Sequence, residues 1–391
     1  MMSFALRAAC LVTFVFLVPE VRAQSVVMER LESWMLDVAS PTSRIAGDAG
    51  SMVLLDRSCR TDIPDANLRR RIVDIAAQEW GYFGFPVIDE IAAAAARQEA
   101  EARGTSALAF ERLLRRADRP DAAEVMRTAT AVAGYWAVTS EGAWIVAGQS
   151  DIWNQPDPRS ERGNRVRWED PWSAAFISWV ACEAGLGNPD RFSRAVAHHV
   201  YIDQAIRARD TAAAEGAYVA YDIGEEPLSP GDLVCSSRAP IYRSIAERRA
   251  QLGQGARTHC DFVVAIDQQE RRILTIGGNV RGRVALKIFP ARGTDTNLHL
   301  QSHVTDSERR VMFAHLKLRT DPIETNALVS SATLRRLACD LQLSVPQRLL
   351  DAGLSACGTA GGTLARAGGC MTAPSSQPES QRRPAPGAMS R

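Results

Sequence analysis

Up to about residue 230 the apolar positions recur mostly at helical spacing; beyond Pro230 they alternate. The first clear helix follows Asp65, where "ANLRRRIVDIAAQEW" sets Leu68, Ile72, Ile75, Ala76 and Trp80 on one face behind an Asp N-cap. Gly81 and the run from Gly84 to Pro86 end it. Upstream, "VVMERLESWMLDV" in residues 24–45 is amphipathic and predicts one more helix. Residues 87–150 are alanine-rich and helical in pattern, with breaks near Gly104 and Pro120. A polar loop, "NQPDPRSERGNRVRWEDPW", carries Arg159, Arg162, Arg165 and Arg167 and reads as a solvated surface or a rim for an acidic ligand. It leads into "PWSAAFISWV", uncharged, with Asp170 as N-cap and Pro171 at the first helical position. A second helix is expected from about Pro189 to Arg209.

After Pro230, "GDLVCSS", "HCDFVVAI", "RRILTIGGNV" and "GRVALKIFP" are four short strands separated by turn residues. Helices followed by a small antiparallel meander make an α+β chain. Residues 301–372 read as a mostly helical C-terminal extension, and 373–391, "APSSQPESQRRPAPGAMSR", as disordered by composition.

The length of 391 residues, 46% hydrophobic and 23% charged, fits an ordinary globular chain, and a net charge of +1 gives no reason to expect nucleic acid as a partner. The start changes the picture more. Arg7, the apolar run Ala8 to Val18 and the small residues around Ala23 read as an export signal over 1–23, too short to span a bilayer. The mature chain is then expected in the periplasm or outside the cell, with no membrane span left. Cys10 leaves with the signal, so of eight cysteines an odd seven remain: Cys59, Cys182, Cys235, Cys260, Cys339, Cys357 and Cys370. An oxidising compartment permits disulfides. No spacing resembles a CxxC metal site, and neither a metal nor an organic cofactor is expected. The strand "GDLVC" should pair with the one opening at His259, which brings Cys235 and Cys260 within disulfide reach.

Candidate chemistry gathers at the start of the uncharged helix. Ser173 lies in its first turn, where unpaired N–H groups favour developing negative charge. A strand later, His259 opens the next strand. Nucleophile at a helix N-terminus, then histidine at a strand edge, is how a papain-like hydrolase is assembled. The chain resembles the bacterial domain-of-unknown-function family 2272, which is similar to NlpC-type and CHAP-type peptidoglycan amidases and endopeptidases. The resemblance rests on Trp172-Ser173-Ala174-Ala175-Phe176-Ile177-Ser178-Trp179-Val180, Pro230-Gly231-Asp232-Leu233-Val234, His259-Cys260-Asp261-Phe262-Val263-Val264 and Gly277-Gly278-Asn279, in that order, and spans about residues 66 to 290.

The resemblance implies a papain-like NlpC/CHAP-type core over 65–300, a helical insert at 87–150, and a helix and loop segment over 24–64 before it. The chain departs from the pattern twice. Ser173 stands where those hydrolases carry cysteine, and Gly277 where a CHAP-type acid would fall. A serine must lose its proton during attack, so it needs an accurately placed base. The implied roles are Ser173 as nucleophile, His259 as base and Asn279 as its orienter. Each has a plainer alternative: Ser173 closing the helix start, His259 bonding a carbonyl, Asn279 serving a turn. Trp172 and, through the pattern Ala197, His198, Tyr201, Ile202, His198 are the candidates for a substrate-lining wall, with core packing as their alternative. His198 and His199 point about 100° apart on a helix and cannot both face one ion. Cys260 points away from His259 on the same strand.

The expectation is therefore an exported hydrolase acting on amide bonds of cell-wall peptide in peptidoglycan. The alternatives are a catalytically silent relative that binds cell-wall peptide or a protein partner in the same groove, and acyl transfer on lipid.

Overall fold

The computed structural model describes residues 27–339 and 349, apart from 107–108, 110–111, 113–117, 156–167, 213–214, 301–303 and 306–309. The export signal, the four arginines of the polar loop and the polar tail lie outside the described residues. In chain order the helices are α1 (Asp65–Tyr82), α2 (Glu90–Ala102), α3 (Ala122–Ala137), α4 (Gly142–Trp153), α5 (Ser173–Ala184), α6 (His198–Asp210), α7 (Ile245–Arg249) and α8 (Ala332–Cys339). The strands are β1 (Ile45–Ala46), β2 (Val53–Leu54), β3 (Val87–Asp89), β4 (Tyr218–Tyr221), β5 (Leu233–Ala239), β6 (Arg257–Asp267), β7 (Arg272–Val280), β8 (Arg283–Thr294), β9 (Asn297–Leu300), β10 (Val304–Thr305) and β11 (Arg310–Leu318). The fold is mixed α+β. No described helix is long and apolar enough to cross a membrane.

The four alternating segments form β5 to β8, a consecutive antiparallel meander. The sheet is wider than the alternation suggests: its order is β10-β11-β5-β6-β7-β8-β3, with β4 added on β11 and β9 on β8. β3 pairs with β8 in parallel, so the segment after Pro86 enters the sheet before the insert turns helical. Residues 304–305 and 310–318, expected in a helical extension, are strands, and β11 lies beside β5. Its sequence, "RVMFAHLKL", is apolar on both faces; a strand buried on both faces loses its alternation and cannot be told from a buried helix by period.

Three helix boundaries also differ. Residues 27–40 form no helix. Met28 N–H donates to the Gly81 carbonyl at 3.1 Å, and Arg30 grips Glu79 through two bonds of 2.6 and 2.7 Å. Tertiary bonds to α1 override the local propensity there. Asp65 is the first residue of α1, preceded by Pro64, and its carboxylate accepts from Arg191 at 2.7 Å instead of capping. The second helix begins at His198, nine residues after Pro189, and α5 begins at Ser173, two after Pro171.

One polar knot ties helix to sheet. Asp232, fully buried in the "PGDLV" segment, accepts from Arg69 of α1 at 2.7 Å and from His315 of β11 at 2.9 Å. It also accepts the backbone N–H groups of Ser229 and Leu318, each at 2.9 Å. Burial by itself would raise this carboxyl, but His315 and Arg69 hold it below the usual range. Two disulfides join distant segments: Cys235 to Cys260, as the hairpin reading expects, and Cys59 to Cys182. Cys339 is disulfide-bonded as well.

Candidate functional site

All twelve residues of α5 are buried. A helix apolar on every side belongs in an interior, and α5 lies between α1, α3 and the β6–β7 part of the sheet. Its approach to the sheet is close. A methyl carbon at Gly278 would lie 2.5 Å from Phe176 Cβ, so only glycine fits there. At the other end Gly185, with φ of 116°, closes the helix in the left-handed region.

The N-terminus of α5 carries no side-chain cap. Trp172 precedes it, 2% exposed, stacked on Phe83 at 5.8 Å and beside Tyr135 at 5.9 Å, so it is a core residue and presents no face to a ligand. Ser173 follows at 8% exposure, and its Oγ is 2.7 Å from Nε2 of His198. His198 is the first residue of α6. Its other nitrogen, Nδ1, accepts the backbone N–H of Cys260 at 3.2 Å and meets the hydroxyl of Tyr201. That N–H is available because the β6–β7 pairing runs from Phe262 and Ile276 onward and leaves 259–261 unpaired on that side.

His259 stands elsewhere. Successive strand residues face opposite sides. Gly278 and the paired Phe262 and Ile276 belong to the side packed by α5, whereas Val263 belongs to the separate cluster on the far side. His259 and Asp261 share the far side with Val263. His259 Nε2 is 2.9 Å from Asp261 Oδ1, whose other oxygen lies 2.7 Å from Lys287 Nζ. The His198 and His259 rings come within 5.1 Å, but Ser173 forms no hydrogen bond to His259. The structure thus brings Ser173 to His198, and His259 to Asp261. Asn279, half-buried at φ of 54°, hydrogen-bonds to neither imidazole.

Asp261 takes the place the sequence left empty at Gly277. A methyl carbon at residue 277 would lie 1.7 Å from Asp261 Oδ1 and 3.3 Å from His259 Nε2. The acid is thus supplied from within β6 and occupies the space of the missing side chain on β7. The pattern His-x-Asp on a strand carries this information, since residues two apart share a face; so does Lys287, one of only two lysines in the chain.

Burial pushes both imidazoles below the ordinary histidine range, His198 furthest, where the neighbouring His259 adds to the effect. For His259 the Asp261 carboxylate opposes burial and Lys287 reinforces it. Burial would raise Asp261, yet Lys287 and His259 hold it well below the usual carboxylate range. Both rings are therefore neutral at neutral pH and Asp261 is ionised. Among the described residues no group of three or more His, Cys, Asp or Glu could hold a metal ion.

No curated protein and no solved structure matches this chain. One family model does, beginning after α1, within α3, and ending at the last residue of β11: residues 124–318 match the family described as an uncharacterized protein conserved in bacteria, DUF2272.

Proposed function

We propose that this is an exported, catalytically silent relative of papain-like NlpC/CHAP-type hydrolases, which binds cell-wall peptide or a protein partner instead of cutting it. The observation that carries this reading is the separation of the catalytic parts. Ser173, in the place of the usual cysteine, bonds to His198, while His259, whose ring lies 5.1 Å from that of His198, bonds to Asp261 and not to Ser173. Serine chemistry needs the base on the hydroxyl proton, and the imidazole poised by a carboxylate is not the one that meets Ser173.

A hydrolase acting on an amide bond of that peptide is the second reading. It is favoured by one observation: a serine hydroxyl 2.7 Å from an imidazole at an uncapped helix N-terminus. In that reaction Oγ would attack the carbonyl carbon and the proton would pass by way of histidine to the leaving amine, before water releases the acyl group. The test is incubation of the mature protein and its Ser173→Ala variant with purified peptidoglycan. The expected outcome is no soluble fragment from either; fragments released by the wild type and lost in the variant would establish the hydrolase.

A further inference from the structure

We infer that the Ser173 site recognises a hydrogen-bond acceptor, a carbonyl or carboxylate oxygen, through the Ser173 hydroxyl, with His198 as the fixed N–H donor that sets its direction. The inference rests on the reading of this site as a binding site, and it names the ligand chemistry.

The argument begins at Cys260. A backbone N–H can only donate, and here it donates to His198 Nδ1 at 3.2 Å, with the Tyr201 hydroxyl on the same atom. A neutral imidazole has one bare nitrogen and one N–H. Nδ1 is the bare one, so the hydrogen is on Nε2. The cation would need a second hydrogen on Nδ1, pointing at the Cys260 N–H; the buried surroundings of the ring oppose that charge as well. His198 is therefore a donor toward Ser173, whose Oγ at 2.7 Å is the acceptor. This is the reverse of what a general base does.

A serine hydroxyl has a single hydrogen. With His198 donating, the Ser173 hydrogen is left to point away from the ring, and among the described residues no acceptor takes it. Ser173 is more than nine-tenths buried, and a buried donor left unmade is costly. Around it, the first-turn N–H groups of α5 have no helical acceptor and no side-chain cap. His259 bonds to Asp261 through Nε2 and forms no hydrogen bond to Ser173. The Ser173 hydroxyl and the first-turn N–H groups are thus donors, at the helix end that favours negative charge. The complement is an oxygen acceptor, such as the carbonyl or terminal carboxylate of a peptide.

Two measurements on the mature chain test this. In protein labelled with nitrogen-15 at histidine, His198 (assigned by its absence in His198→Gln) is expected to show a bare Nδ1 and a protonated Nε2 at neutral pH. A protonated Nδ1 overturns the inference. Titration with an acylated dipeptide bearing a free carboxylate, and with its C-terminal amide, is expected to show binding that Ser173→Ala weakens roughly ten-fold, about the size of one lost hydrogen bond. Tighter binding of the acid assigns the contact to a carboxylate; equal binding assigns it to a carbonyl. His198→Ala is expected to lose a similar factor, and His198→Gln, which keeps an N–H donor, to recover most of it. Absence of binding by either peptide, or binding unchanged in Ser173→Ala, overturns the inference. Cleavage of a peptide by the wild type would instead sink the silent reading of the site, and the tautomer measurement would still decide the role of His198.

Discussion

Gly277 shows how a single missing side chain can reorganise polar chemistry. With no Cβ on β7, the Asp261 carboxylate moves into the vacant space, bonds to His259 and meets Lys287. Ionic and imidazole groups then satisfy one another in a place where an unpaired charge would be costly. Gly277→Ala would put a carbon 1.7 Å from a carboxylate oxygen, which the buried Asp261 can relieve only by leaving its partners. The variant is expected to lose about 1–3 kcal/mol, as over-packed interiors do, seen as a lower urea midpoint with an unchanged slope. A midpoint equal to the wild type would mean that Asp261 is free to move and is not the fixed partner of His259.

Between elements, the Asp232 knot is a polar link of helix to sheet. Its carboxylate receives a guanidinium from α1, an imidazole from β11 and two backbone N–H groups, so one residue holds helix and sheet in register. Replacing Asp232 by Asn removes the charge and leaves Arg69 buried without a counter-ion. Breaking a buried pair in this way costs about 3–5 kcal/mol, and thermal unfolding of Asp232→Asn should show it. A loss below about 1 kcal/mol would place the binding of α1 in its apolar face, through Leu68, Ile72, Ile75 and Trp80, and not in this ion pair.

For the whole molecule, the buried titrating groups make stability depend on pH in a definite direction. The folded state holds His198 and His259 below their usual 6.5, so the unfolded chain binds protons first as pH falls. Their contribution is complete above pH 6.5 and is lost as pH falls from there toward the folded values. Asp232 and Asp261 are held below 3.8, so theirs is complete above that pH and lost beneath it. Asp74, raised above 3.8 by burial, acts in the opposite sense above that pH: the folded state takes up its proton first, so its cost is relieved as pH falls toward 3.8. Urea midpoints measured from neutral to acid pH are expected to start falling below pH 6.5, with a slope of up to about 1.4 kcal/mol per unit for each buried histidine. His259→Gln should flatten that first fall. A midpoint constant down to pH 5 would show that these rings take up protons in the folded state as readily as in the unfolded chain.

Relations between near neighbours were legible along the chain. Alternation located β5 to β8 and their order, and with it the Cys235–Cys260 bond; the uncharged stretch after Pro171 announced a buried helix opening close to Ser173. These are local or hairpin relations, with few competing partners. Which imidazole meets Ser173 depended on long-range packing, because His198 and His259 are both far along the chain and spacing cannot rank them. That packing also decided that β11 joins the sheet, since a strand buried on both faces has no alternation to read. The role of Asp261 fell between the two. Its side of β6 was legible from the period of two, but that this side turns away from α5 followed only from Phe176 packing on Gly278. Where contacts join segments distant in sequence, side-chain packing and chain closure select among arrangements that the local pattern leaves equal.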